Sequence, residues 1–320
     1  MAGKCRRALK LIMPLILFIL LIYSADKAKA AAVDALILCG RTIIPSLFPF
    51  FVLSAFLTRL GLPGFLGQTI APLFSRLYRI SPAAASALPM GFFGGYPAGA
   101  NYIADLEKSG SISPEEGERL IAFCNNSGPA FIVGVMGSAV FGSVRLGLML
   151  YAVHILSALF TGLFFRRGEY CRKVIPHRLD DISCTDALVE SVKQSVLSII
   201  NVSGFIIFFS VLIKMLDTGS LLSNVCLWLG RFPGIEPQFA KALLTGFFEL
   251  GSGAGAMQGL DARPINLALA AALLSWGGLS VHFQTLAVLS ASRIKGTLHI
   301  TGRLISTCIA FLLMLIFSSF

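Results

Sequence analysis

The stretch "LIAFCNNSGPAFIVG", Leu120 to Gly134, decides the fold. Apolar sequence surrounds it, yet its centre holds Asn125, Asn126 and Ser127 followed by Gly128 and Pro129. Proline removes a backbone donor and glycine disfavours helix, so a helix entering this stretch breaks inside it. Broken backbone at membrane depth is tolerated only where protein or a water-filled cavity satisfies its polar groups. The pattern therefore points to a membrane protein with an interior polar site.

Composition agrees. The chain has 320 residues, 56% of them apolar and only 13% charged. A soluble domain carries about 25% charged residues. Apolar runs of spanning length recur along the chain, so it reads as an all-α, polytopic transmembrane helical bundle. A β-barrel would need short alternating segments instead of long Leu/Ile/Phe/Ala runs. The net charge of +10 is read as Lys/Arg in cytoplasmic loops. No basic cluster is interleaved with aromatics, so nucleic acid is not an expected partner. The seven cysteines form no CxxC pair, the histidines are scattered, and HExxH is absent; no metal, cofactor or disulfide framework is expected. No nucleophile elbow or P-loop marks an enzyme.

The N-terminus, residues 1–30, has a basic start, an apolar core and Ala28-Lys29-Ala30 at a cleavage-like position. It is expected to be a first transmembrane helix or signal anchor, with a cleaved signal peptide as the alternative. A second helix covers about 33–57 and carries Arg41. An amphipathic surface piece follows, then a segment interrupted at Gly94-Gly95-Tyr96-Pro97-Ala98-Gly99, read as a re-entrant hairpin. "SISPEEGERL" is a helix start, with Ser113 as N-cap, Pro114 at N1 and acids in the first turn. That helix breaks in the opening stretch and resumes. A spanning helix over about 144–165 ends the first half.

A polar, basic loop over 168–186 separates residues 31–167 from residues 187–320. The second half repeats the order: spanning helix, surface piece, hairpin at "GFFELGSGAGA" (Gly246 to Ala256), helix broken at "SWGGLS" (Ser275 to Ser280), final helix. With a cytoplasmic N-terminus and hairpins that return to their own side, most Lys/Arg falls inside. The halves are then inverted repeats, each with a re-entrant hairpin and a broken helix.

Inverted repeats bring such breaks together near the midplane, where half-helix N-termini attract anions. The hairpin and break positions are Gly95, Pro97, Gly99, Gly128, Pro129, Gly251, Gly253, Gly277 and Gly278. The expected substrate-binding side chains are Tyr96, Asn101, Asn125, Asn126, Ser127, Ser280, His282 and Gln284, with Ser252, Gln258 and Ser275 also near the breaks. For each Asn or Ser the structural alternative is a bond between packed helices. Glu249, an acid within a hairpin core, binds a cation, relays a proton or pairs with Arg41; the alternatives are a static ion pair or an Asn-bonded neutral acid. His282 takes part in proton coupling or is simply hydrogen-bonded. Arg41 holds an anion or snorkels to the helix end.

At "GFFGGYPAGA" (Gly91 to Ala100), "LIAFCNNSGP" and "SWGGLSVHFQ" the sequence resembles the YlbJ (SpoVV) family of sporulation integral membrane proteins. That family belongs with membrane proteins bearing the nucleoside-recognition Gate domain. The resemblance runs from about Arg41 onward. It implies a transporter-like fold and movement of dipicolinic acid across the outer forespore membrane, with Gly95-Tyr96-Pro97, Asn125-Asn126 and Ser280-Val281-His282 carried over by motif. Tyr96 or Trp276 would stack on the ring. The expected partners are thus a small organic anion and the lipid bilayer, with a homo-oligomer left open. A nucleoside or other metabolite as substrate, and a non-transporting scaffold for the spore envelope, are the competing readings.

Overall fold

The computed structural model describes residues 2–167, 183–217, 220–231 and 236–318. Most of the basic loop expected over 168–186 lies outside them. Helices are the regular structure of the described residues, with no strand among them. Among the described residues, five helical segments are long and apolar enough to cross a membrane: Ala25–Arg59, Val144–Phe164, Cys184–Leu216, Pro264–Leu289 and Thr297–Ser318.

The chain opens with α1 (Ala2–Tyr23), whose apolar part is the shorter Pro14–Tyr23. The first crossing is composite: α2 (Ala25–Leu38), a π-helical turn (Cys39–Ile43) and α3 (Ile44–Arg59). The widening falls just before Pro45, whose ring crowds the carbonyl one turn back. An amphipathic helix, α4 (Leu62–Tyr78), leaves Phe65 and Leu73 exposed. The first hairpin is α5 (Pro82–Ala85) and α6 (Ala87–Phe93) turning into α7 (Ala98–Lys108). Next comes α8 (Pro114–Ile121), where Ser113 accepts from the Glu116 N–H at 3.2 Å as an N-cap should. The chain leaves helical geometry after Ile121 and resumes as the π-helical segment Ala130–Val140. The crossing α9 (Val144–Phe164) closes this half.

The second half has α10 (Cys184–Leu216), α11 (Leu221–Leu229), a hairpin of α12 (Pro237–Phe248) and α13 (Leu250–Met257), the pair α14 (Pro264–Trp276) and α15 (Gly278–Leu289), and α16 (Thr297–Ser318). Every residue of α14 from Asn266 to Trp276 is buried, as expected for a helix apolar on all sides. Packing between the halves is reciprocal. The first crossing lies against α10 and α9 lies against α16; α8 meets α16 as α14 meets α9, and α7 meets α15 as the Ala130–Val140 segment meets α13. These reciprocal pairs are consistent with two repeats.

Each hairpin tip rests on the break of its own half, and glycine permits it. A Cβ on Gly95 would lie 3.0 Å from Gly128 N, and one on Gly278 would lie 3.0 Å from Leu250 N. Gly95 also has φ +68°, in the left-handed region. Gly95→Ala is therefore expected to lower stability by about 1–3 kcal/mol through crowding and backbone strain. Gly204→Ala, on an exposed position of α10 with nothing within 4 Å, is expected to be neutral or to gain up to ~1 kcal/mol. Thermal unfolding of the two purified variants compares them; equal midpoints would refute the close-contact reading.

Candidate functional site

Three cavities lie in series along the antiparallel pair formed by the first crossing and α10. The first, about 890 Å³, is a vestibule whose walls include Asp34, Leu38, Lys214, Lys241, Ser210 and Ser252. The second, about 70 Å³, is central. The third, about 80 Å³, lies toward the other end, between Thr58, Gln194 and the first hairpin. Residue numbers rise along the first crossing and fall along α10 from one cavity to the next: 34 with 214, 47 with 206, 58 with 194.

The central cavity is where all four interruptions meet. Gly94, Gly95 and Tyr96 come from the first hairpin tip and Glu249, Leu250 and Gly251 from the second. Ser127, Gly128 and Ala130 come from the first broken helix, and Ser280, Val281 and Gln284 from the second. Leu47, Phe51, Val202 and Ile206 supply apolar walls. A mostly apolar cavity with a few convergent polar groups has the character of a small-molecule site.

Its polar groups differ in availability. Ser280 and Gln284, one turn apart on α15, make no side-chain hydrogen bond among the described residues, so both are free to meet a ligand. The Glu249 carboxylate is 3% exposed and caps α13, accepting from the Gly251 N–H at 2.8 Å and from the Ser252 N–H. No ion pair reaches it among the described residues. Pairing with Arg41 is not formed: Arg41 is exposed in the Cys39–Ile43 turn. No Asn among the described residues bonds Glu249 either. Ser127 donates its hydroxyl to Leu274 O at 3.1 Å and its N–H to His154 Nε2 at 3.2 Å. His154 Nε2 is thus an acceptor, which leaves Nδ1–H to face Ser275 Oγ at 3.1 Å.

The asparagine pair does not line the cavity. Asn125 accepts from Ala100 N at 3.2 Å and donates to Thr285 Oγ1 at 2.9 Å, so it joins α7 to α15 across the halves. Asn126 donates to Phe123 O at 2.8 Å and accepts from Arg303 Nη1 at 3.0 Å. Both are fully buried; they brace the break, because its freed backbone groups need partners before any ligand does. Asn101 is exposed and lines the third cavity. Gln258 is exposed at the far end of α13. His282 pairs Nδ1 with His299 Nε2 at 3.0 Å and lies against Trp276. Trp276 stacks on Phe247 and donates to Phe247 O at 2.9 Å, so its ring is already engaged. Pro97, Gly99, Pro129, Gly277 and Gly278 lie at the turns and breaks without lining the central cavity, and Gly253, expected at the hairpin turn, instead lies inside α13 where it packs on Gly246 of α12.

Four half-helix N-termini point into this region. Two are taken: α13 by Glu249 and α7 by Asn125. The two that follow the helix breaks, at Ala130 and Gly278, have no side-chain cap. Uncapped N-terminal N–H groups with the helix dipole behind them favour an anion.

The sequence reading missed Arg303. It is 0% exposed in α16 and bonds Tyr96 OH, Asn126 Oδ1 and Ala122 O. The signal was present: His299, Arg303 and Ser306 recur at helical spacing in a largely apolar helix, and all three are buried. Ser306 meets Ser157 of α9 at 3.2 Å, a polar seam between packed membrane helices.

The comparisons with known proteins bear on this geometry. The Gate family, described as nucleoside recognition, matches residues 41–166, the half that holds Tyr96 and the Asn125–Pro129 break. Sporulation integral membrane protein YlbJ of Bacillus subtilis (strain 168) is 31% identical over 283 residues, covering 80% of this chain and 69% of that protein. No solved structure matches the chain. With its helical spans, this identity over most of both chains shows that the protein is an integral membrane member of the YlbJ sporulation family carrying a Gate domain.

Proposed function

We propose that the protein is a secondary transporter of a small organic anion. The observation that carries this reading is the meeting of two hairpin tips and two helix breaks in one cavity, set between two further cavities along a helix pair. Transporters bind substrate near the midplane between such elements. The anion preference follows from the uncapped N-termini at Ala130 and Gly278, with Ser280 and Gln284 as free partners. Residues 31–167 and 187–320 act as the inverted repeats and 168–186 as the cytoplasmic link, with the N-terminus inside.

On this reading the large vestibule is the open side of the carrier and the small third cavity its closed side. The central cavity has room for several waters as it stands, so a larger solute enters when a hairpin shifts. The second hairpin is the mobile candidate on the open side, since Ser252 faces the vestibule while Glu249 faces the cavity. Glu249 serves as the coupling group, holding a proton or small cation.

The family name places the role in spore formation, and the substrate proposed is dipicolinic acid at the outer forespore membrane. The test is uptake of labelled dipicolinate into vesicles containing the purified protein. Uptake above empty vesicles under an imposed ion gradient is expected; none under any gradient would refute the proposal. The Gate family's description favours a second substrate class, and competition by nucleosides in the same assay separates the two.

A further inference from the structure

We infer that Arg303 is the charge-selecting residue of this carrier, acting through Tyr96 to favour a carboxylate-bearing solute over a neutral one of the same shape. The inference rests on the transport reading for its context. Arg303 is the largest fully buried side chain among the described residues. Its guanidinium meets only neutral acceptors: Asn126 Oδ1 at 3.0 Å, Ala122 O at 3.1 Å and Tyr96 OH at 3.3 Å. No carboxylate pairs with it among the described residues, and its Nε has no partner. A buried cation without a counter-ion is costly, and an ionised side chain within a membrane marks function by default.

One of these contacts has a structural explanation. Ala122 follows the last residue of α8, so its carbonyl is freed by the break, and a cation there complements the helix C-terminus. The Tyr96 contact has a different consequence. A guanidinium can only donate. The phenolic oxygen is therefore the acceptor, and the Tyr96 hydrogen must point elsewhere. Tyr96 lines the central cavity with Ser280 and Gln284. Arg303 thus fixes Tyr96 as a donor available to the cavity and sets a positive charge one side chain behind it. A carboxylate placed there receives the phenol hydrogen and the field of the guanidinium; a carboxamide of the same outline receives the hydrogen alone.

Equilibrium binding of dipicolinate and of its uncharged diamide to the purified full-length protein tests this, with R303Q, R303K and Y96F beside the wild type. The wild type is expected to prefer the diacid by roughly tenfold, the scale of a hydrogen bond with a charged partner. R303Q should reduce that preference to about twofold or less, R303K should keep part of it, and Y96F should lower it by about threefold while Arg303 stays in place. A preference unchanged in R303Q overturns the inference, and so does a wild type that shows none. Should R303Q fail to fold, an unchanged preference in Y96F overturns it equally. The transport reading fails separately: selective binding without any vesicle uptake would refute transport and leave the role of Arg303 standing.

Discussion

Glu249→Gln is expected to yield a folded protein whose ion-driven uptake falls to the level of empty vesicles. The carboxylate is 3% exposed and lines the central cavity, and no cation pairs with it among the described residues. The amide oxygen of Gln can still accept one of the two N–H groups at the start of α13, so part of the cap survives. What it cannot do is hold a proton or a metal cation with a full negative charge. Glu249→Ala removes the cap as well. It leaves the Gly251 and Ser252 N–H groups without their acceptor, and should cost a further ~1–2 kcal/mol of stability. The two variants thus separate coupling from folding. Thermal unfolding reports the cap, and uptake under proton or sodium gradients reports the charge. If Glu249→Gln retained uptake with unchanged ion dependence, the carboxylate would be a helix cap and no more.

Joining the second hairpin to α10 is expected to stop transport reversibly. Ser210 Oγ and Ser252 Oγ lie 2.9 Å apart, and both line the vestibule. Ser252 follows the tip residues Glu249, Leu250 and Gly251, which lie in the central cavity. A disulfide between these positions would tie the hairpin to the helix that walls both cavities; its span suits side chains already in contact. With the seven native cysteines replaced, the S210C/S252C protein should transport when reduced. Oxidation should then lower uptake at least about tenfold, as expected for a conformational step that gates each cycle, and reductant should restore it. Each single cysteine variant should stay active under both conditions. Full uptake by the cross-linked protein would show that solute passes without separating this hairpin from α10, and the gate would have to be sought at the first hairpin.

Much of this architecture was legible because local chemistry dictates it. The cap at Ser113, the interruption at Gly128-Pro129 and the turn at Gly277-Gly278 each follow from what those residues do to a helical backbone. The same holds for the hairpin tip at Gly95, whose positive φ suits glycine. The candidate site was legible only in part. Tyr96, Ser127, Glu249, Ser280 and Gln284 do reach the central cavity. Asn125 and Asn126 sit at the break but are consumed by Ala100, Thr285, Phe123 and Arg303. Proximity along the chain located the polar cluster; it could not say whether those amides face a cavity or a neighbouring helix.

Arg303 shows the same limit from the other side. Near the start of a final apolar helix, an arginine looks like an end residue reaching for water. It is buried because α16 packs directly on the break, where Gly302 brings the chain against the Ala122 carbonyl. From the chain alone come a helical membrane protein and the positions of its four interruptions, since breaks are local and obey backbone sterics. Which polar groups the breaks hand to each other, and which they leave free, is set by how the helices pack. Side-chain satisfaction depends on partners 147 to 181 positions away, and those distances are closed by helix packing, which no local pattern records.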